Sequence, residues 1–261
     1  MHNVRNVRHG SGRPLVLVPG VGASSDTWRF VLDELTGQRE VVALDLPGMG
    51  RTPLFKGEVT VARYADALES FLRSEGLDAA DLVGSSLGAR LVLEMARRGL
   101  GRSTVALDPG GFWSPVQKKI FGTSLSASVA LVRAVRPALP TMLGNPIGRT
   151  LLLAQLSARP WAVPAEFALS ELRGLADSPG SSPSIRALAH DPDQTGAPAG
   201  TLPGPILMVW GKQDRVTTPS QAGRAAKLFP DARIELFDSC GHFPHWDQPE
   251  RTARAILAAT A

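Results

Sequence analysis

The chain holds a single cysteine, Cys240, among 261 residues. An intrachain disulfide is therefore impossible, and a structural zinc site built on cysteines is excluded. Long hydrophobic runs are missing too. Every apolar stretch is broken by Arg, Gly or Pro well short of the roughly 20 residues that a membrane span requires. The first ten residues lack the apolar core of a signal peptide, so the expectation is a cytoplasmic protein with no membrane partner. Lys and Arg exceed Asp and Glu by 28 to 24, but the basic residues are spread along the chain. Their one cluster, Arg97, Arg98 and Arg102, falls at an expected helix C-terminus, where cations complement the dipole. No arginine-rich or aromatic-interleaved run suggests a nucleic-acid partner. The glycine-rich turns are not followed by the lysine of a phosphate loop, and metal-ligand spacings of His and Asp are absent, so neither cofactor nor metal is expected. Internal repeats and low-complexity tracts are lacking as well.

Against these absences stands a regular alternation. Leu15-Val16-Leu17-Val18 is a continuous apolar run closed by Pro19-Gly20, the pattern of a strand covered on both faces. Comparable runs centre on Val41-Val42-Ala43-Leu44, Leu82-Val83, Thr104-Val105-Ala106-Leu107, Ile206-Leu207-Met208-Val209-Trp210 and Ile234-Glu235-Leu236-Phe237. Helical stripes separate them. Val61, Ala65, Leu68 and Leu72 share a face with Asp66, Glu69 and Arg73 opposite, and Leu87, Leu91, Val92 and Met95 form another that stops at Gly99. Residues 248–259 read as a C-terminal helix with Pro249 in its first turn. Strands alternating with helices predict an α/β fold, a mostly parallel sheet flanked by helices, and the length suits one domain with a large core.

Residues 113–202 break this rhythm. They contain no convincing strand, and prolines from Pro137 to Pro198 cut them into pieces that read as several short helices. The expected organisation is a core formed by residues 1–112 and 203–261 with an inserted helical lid at 113–202. Residues 178–204 turn to Ser, Pro, Gly, Asp and Thr, the composition of a hinge or mobile return loop.

Gly84-Ser85-Ser86-Leu87-Gly88 fits G-x-S-x-G. With 26 glycines in the chain the match alone is weak, but it follows an apolar strand and opens an amphipathic helix, the setting of a nucleophile elbow. Flanking glycines allow a strained turn that lifts the Ser86 hydroxyl clear of the sheet, and the helix aims free N–H groups at developing negative charge. A serine needs a base. Of the five histidines, His2, His9, His190, His242 and His245, His242 stands in a loop after the last strand, at the sheet edge where Ser86 is expected. His245 is expected to pack or cap. The third member must be an acid that orients the imidazole. Asp214 follows the strand ending at Trp210 and produces the chain order Ser, Asp, His; Asp108, at the end of the preceding strand, is the alternative acid.

With these residues in place the chain resembles the α/β-hydrolase superfamily along essentially its whole length. The resemblance rests on Pro14-Leu15-Val16-Leu17-Val18-Pro19-Gly20, Asp45-Leu46-Pro47-Gly48-Met49-Gly50, the Ser86 pentapeptide, Trp210-Gly211-Lys212-Gln213-Asp214-Arg215 and Gly241-His242-Phe243-Pro244. It is similar in flavour to small esterases, carbon–carbon-bond hydrolases and haloperoxidase-like members. The resemblance implies an oxyanion hole from the backbone N–H groups of Val21 and Leu87, although Pro19-Gly20 stands where many relatives carry His-Gly. Serine rather than aspartate at the nucleophile position argues against dehalogenase and epoxide hydrolase chemistry.

The expected activity is a cofactor-free serine hydrolase acting on an ester, thioester, lactone or activated ketone of a modest-sized apolar molecule. Two alternatives stay open: acyl transfer or cyclisation on the same site, and a non-catalytic small-molecule binding protein. Trp28, Phe112, Trp113, Trp161 and Phe243 are the aromatic residues expected to line the substrate pocket; Phe121 and Phe167 are weighed between pocket and core. The oligomeric state is not legible.

Overall fold

The computed structural model describes residues 4–261. A seven-stranded sheet carries the molecule, in the order β1-β3-β2-β4-β5-β6-β7. Its strands are β1 (Arg5–His9), β2 (Pro14–Val18), β3 (Glu40–Asp45), β4 (Asp81–Ser85), β5 (Thr104–Leu107), β6 (Ile206–Gly211) and β7 (Arg233–Phe237). All neighbours run parallel except β1, which pairs antiparallel with β3. The edge strand β1 was not singled out in the sequence, because Arg5-Asn6-Val7-Arg8-His9 offers one apolar side chain and is largely exposed. Its charges suit an edge, and Arg8 pairs there with Glu40 and Glu75.

The continuous apolar runs arise because both faces of the sheet are covered. Leu15, Leu17, Val41, Ala43 and Val83 pack on one face against Val31 and Leu35 of α1 (Arg29–Thr36) and Ala253 and Ile256 of α11 (Pro249–Ala259). Their sequence neighbours Val16, Val18, Val42, Leu44 and Leu82 point the other way, onto α2 (Val61–Ser74) and α3 (Leu87–Arg97). The α9 helix (Ala222–Leu228) covers the β6 end of that face with Phe229. Pro249 is the first residue of α11, where its missing N–H costs nothing.

Between β5 and β6 the chain forms α4 (Pro115–Ala134), α5 (Leu139–Leu143), α6 (Pro146–Leu153), α7 (Ala165–Asp177) and α8 (Ser181–His190). Prolines set their limits: Pro115 opens α4 within a capping box of Ser114 and Gln117, and Pro146 opens α6 behind the Asn145 cap. The twenty residues of α4 run unbroken because no proline lies between Pro115 and Pro137. The expectation of a loop at 178–204 requires correction. Its first half is α8, in which Pro183 sits within the first turn, needing no intrahelical partner, and Ile185 and Leu188 bury a stripe one turn apart. A further short helix, α10 (Pro244–Asp247), precedes α11. Among the described residues no helix is long and apolar enough to cross a membrane.

The amino ends of the strands are tied by one buried carboxylate. Asp81, fully buried at the start of β4, accepts from Arg39 at 2.6 Å, from Arg13 at 2.9 Å and from the Ser103 hydroxyl. Arg39 also reaches the carbonyl and hydroxyl of Thr260 beyond α11. Asp81→Ala leaves the Arg39 cation, 7% exposed, without its partner. The loss should be about 3–5 kcal/mol in urea unfolding; a loss below about 1 kcal/mol would mean that this network does not hold the strand ends.

Candidate active site

The carboxyl edge of the sheet gathers the candidate residues. Ser86 stands between β4 and α3 with φ 56° and ψ −112°, a backbone conformation that non-glycine residues rarely adopt. The turn needs its glycines. A Cβ on Gly84 would fall 2.2 Å from the carbonyl oxygen of Gly88, and one on Gly88 would fall 2.0 Å from that of Val18. The Ser86 N–H is tethered to the Leu107 carbonyl at 2.9 Å, which locks the turn to β5. Gly20 lies against the serine so closely that a Cβ there would stand 3.1 Å from Ser86 Cβ. The Gly20-Val21 turn is in turn anchored to the next loop: Asp45 accepts from the N–H groups of Ser25 and Arg51, and Met49 Sδ accepts from Gly22 N–H. Among the described residues nothing accepts a hydrogen bond from the N–H of Val21 or of Leu87.

His242 is 2% exposed and its Nδ1 lies 2.9 Å from Asp214 Oδ2. With Nδ1–H donating to the carboxylate, the neutral ring carries its lone pair on Nε2. Asp214 itself is held from four sides. Its Oδ1 accepts from the N–H groups of Val216 and Thr217, and its Oδ2 accepts from the Thr217 hydroxyl and from His242. The aspartate thus caps its own turn and orients the histidine at once. The Ser86 hydroxyl and His242 line the same cleft, and no hydrogen bond joins them in this structure.

Asp108 lies directly behind this pair. It is fully buried with φ 46°, its Oδ1 accepts from Gly211 N–H at 2.9 Å, and its Oδ2 has no partner. Burial and the adjacent Asp214 carboxylate push its pKa well above the usual carboxylate range. The nearest ligand atoms of Asp108, Asp214 and His242 fall within 4.8 Å of one another, the one such cluster among the described residues. Nδ1 and Oδ2 already face each other at hydrogen-bond distance, which leaves no room for an ion between them.

The loop that presents His242 is pinned to the segment between α6 and α7. His242 N–H donates to Leu156 O at 2.9 Å, and Asp247 accepts from Gly241 N–H, Ala158 N–H and the Ser157 hydroxyl. Gly241 is required here, since a Cβ would meet Ala158 N at 2.8 Å. Asp247 was not identified from sequence; its signal was an acid five residues after the histidine. His245 packs as expected, fully buried and stacked on Trp28 with ring centroids 4.5 Å apart. His9 and His190 are exposed, and His2 lies outside the described residues.

The cleft is walled by Val21, Ala23, Leu125, Leu156, Leu175, Val216, Phe243 and Trp246, with Ser86, His242 and Glu171 among them. Of the aromatic residues expected here, Phe243 lines it and four do not. Trp28 is buried on the α1 face of the sheet, Phe112 packs with Trp210 and Phe229 beneath α9, Trp113 packs on Phe121, and Trp161 is 51% exposed. Adjacency to a strand end did not predict direction, because the residues after β5 fold back over the sheet. The walls Leu125, Leu156, Leu175 and Trp246 had no sequence signal; tertiary packing alone assembles them.

The sequence model of the Alpha/beta hydrolase family matches residues 15–255. The chain belongs to this family. It is 29% identical over 262 residues to an uncharacterized protein of Mycobacterium tuberculosis, covering 93% of this chain and 73% of that one. An epoxide hydrolase of the same organism is 29% identical over 219 residues, covering 76% of this chain and 93% of the relative. The solved esterase of Thermogutta terrifontis superposes with a TM-score of 0.74 at 22% identity, covering 98% of this chain and 92% of the other, a likeness of fold. The chain is accordingly an enzyme of the hydrolase type.

His245 supplies a test of the cleft's surroundings. Both ring nitrogens are buried without partners, and burial, with His242 close by, lowers its pKa to about 3. The unfolded chain takes up that proton near pH ~6.5 and the folded one does not, so His245 removes stability as pH falls from ~6.5 towards 3. Wild-type protein should lose about 2 kcal/mol more than His245→Phe between pH 8 and pH 5 in urea unfolding. Equal losses would show that His245 is charged in the folded protein.

Proposed function

We propose that the chain is a serine hydrolase in which Ser86, His242 and Asp214 act together on an ester, thioester, lactone or activated ketone of a modest-sized, largely apolar molecule. The observation that carries this reading is the buried His242–Asp214 pair at 2.9 Å, opening onto the cleft that also holds Ser86 on its strained turn. Nε2 of His242 takes the Ser86 proton as Oγ bonds to the substrate carbonyl carbon, and the carbonyl oxygen becomes an oxyanion. The N–H groups of Val21 and Leu87, without an acceptor among the described residues, take up that charge in this scheme, Leu87 at the positive end of α3. Collapse expels the leaving group, which takes the proton from Nε2. Water then attacks the acyl-serine, returning the proton through His242 and freeing Ser86. No cofactor is needed for any step.

Asp214 is the acid in this scheme, since of the two aspartates it is the one that bonds His242. The epoxide hydrolase relative does not redirect the reading, because the elbow here presents a serine hydroxyl. The segment between β5 and β6 acts as the lid: Leu125 of α4, Leu175 of α7 and Leu156 between α6 and α7 narrow the cleft until its cavity measures about 30 Å³, room for a water or two. A substrate therefore enters only when these helices part from the core segments 1–112 and 203–261, and their return excludes water.

Ser86→Ala should abolish turnover of p-nitrophenyl esters while leaving the circular dichroism unchanged; turnover that persists would remove Ser86 from the mechanism. Asp214→Asn should lower kcat by about 10⁴, the magnitude known for a triad acid changed to its amide. Asp108→Asn should cost far less, as Asp108 bonds Gly211 N–H and not His242; if it is the more damaged variant, Asp108 is the catalytic acid.

A further inference from the structure

Glu171 is the one polar group of the cleft that the proposed reaction does not use. It sits in α7 amid the buried stripe of Phe167, Ala168, Leu172 and Leu175, where helical spacing calls for an apolar side chain. It is 8% exposed, and what remains exposed faces the cleft of Ser86 and His242. Its single side-chain hydrogen bond among the described residues comes from Thr27, whose hydroxyl donates to Oε2 at 3.3 Å while accepting from Trp246 Nε1 at 3.1 Å. Oε1 has no partner among the described residues. Among the described residues no cation pairs with it: Arg29 is engaged by Asp26 and stacks over the Phe167 ring.

We propose that Glu171, fixed by Thr27, is a specificity residue that selects substrates carrying an oxygen function, a hydroxyl, keto or ether oxygen, in addition to the scissile carbonyl. This inference deepens the serine-hydrolase reading and rests on it. Burial pushes the Glu171 carboxyl up to about 8, so at pH 7 it bears its proton and offers an O–H to an acceptor. The charged and titratable groups around it are Asp26, in the turn before α1, and Arg29 at the start of α1, paired with each other, His242 across the cleft with Nδ1 on Asp214, and neutral His245 behind Trp246. None of these supplies a partner for the proton. An all-apolar substrate leaves that O–H buried and unmade, whereas an oxygen acceptor completes it, which is how a polar pocket discriminates most sharply. The carboxyl does not serve folding. Its raised pKa makes the folded chain hold a proton that the unfolded chain releases near pH ~4.3, so it removes stability as pH rises from there towards 8.

The test compares kcat/KM for p-nitrophenyl 4-oxopentanoate and p-nitrophenyl pentanoate, a ratio in which the pH response of His242 cancels. Wild-type protein should favour the oxo ester on the order of tenfold at pH 7 and lose that preference by pH 9. Glu171→Gln, whose amide donates at every pH, should keep the preference at both; Glu171→Leu should bring the ratio to about one. A preference that survives in Glu171→Leu, or none in the wild type, overturns the proposal. So does a gain at pH 9 for the 5-aminopentanoate ester, which would make the group a carboxylate selecting cations. Failure of Ser86→Ala to stop turnover marks instead the failure of the hydrolase reading. Thermal shifts of Ser86→Ala protein with 2,5-hexanedione and 2-hexanone then decide the subsite without chemistry: a larger shift with the dione that Glu171→Leu removes supports it, and equal shifts contradict it.

Discussion

The site depends on one backbone constraint, the positive φ of Ser86 between β4 and α3. A non-glycine residue held there costs of order 1–3 kcal/mol, so the neighbourhood must leave the chain no alternative. The parallel register does this. Val18 pairs with Gly84 on one side of β4 and Leu107 pairs with Ser85 on the other, and the Leu107 carbonyl then takes the Ser86 N–H. Because Gly88 has no side chain, α3 starts in contact with the end of β2, and the same closeness brings Gly20 and Val21 beside the serine. Ser86, the start of α3 and the Gly20-Val21 turn are thus set by one turn.

The two edges of the sheet are built on opposite electrostatic principles. At the amino edge Asp81 is buried with its countercharges and its hydrogen bonds complete. At and above the carboxyl edge Asp108, Glu171 and His245 are buried, and burial shifts the pKa of each in the direction that favours its neutral form. Such groups weaken a fold unless something they do compensates. Asp214, by contrast, accepts four hydrogen bonds and holds His242 through one of them.

Much of this was readable in the sequence, for identifiable reasons. Strands buried on both faces announce themselves as unbroken apolar runs, so β2 to β7 were legible while the charged edge strand β1 was not. The Ser86 turn was legible because glycine at positions 84 and 88 is a steric necessity, and Asp214 and His242 because they follow strands at the same edge. The pocket was not. Trp28 and Phe112 are large and adjacent to the right loops, yet each turns onto a sheet face, and the walls come from helices whose placement no local pattern encodes. Glu171 left a trace, a carboxyl in an apolar stripe, that acquires meaning only once α7 is seen against the cleft. Pro183 misled for a simple reason: a proline within a helix's first turn is compatible with the helix it seems to break.

The central claim is that Ser86 is a nucleophile activated within this arrangement. Reaction of the native protein with a fluorophosphonate, followed by peptide mass mapping, tests it most directly. The account predicts one stoichiometric adduct, on Ser86 and not on Ser85, whose hydroxyl is fully buried, and a large drop in labelling rate in His242→Ala. An adduct on another residue, or none from protein that hydrolyses esters, would contradict it.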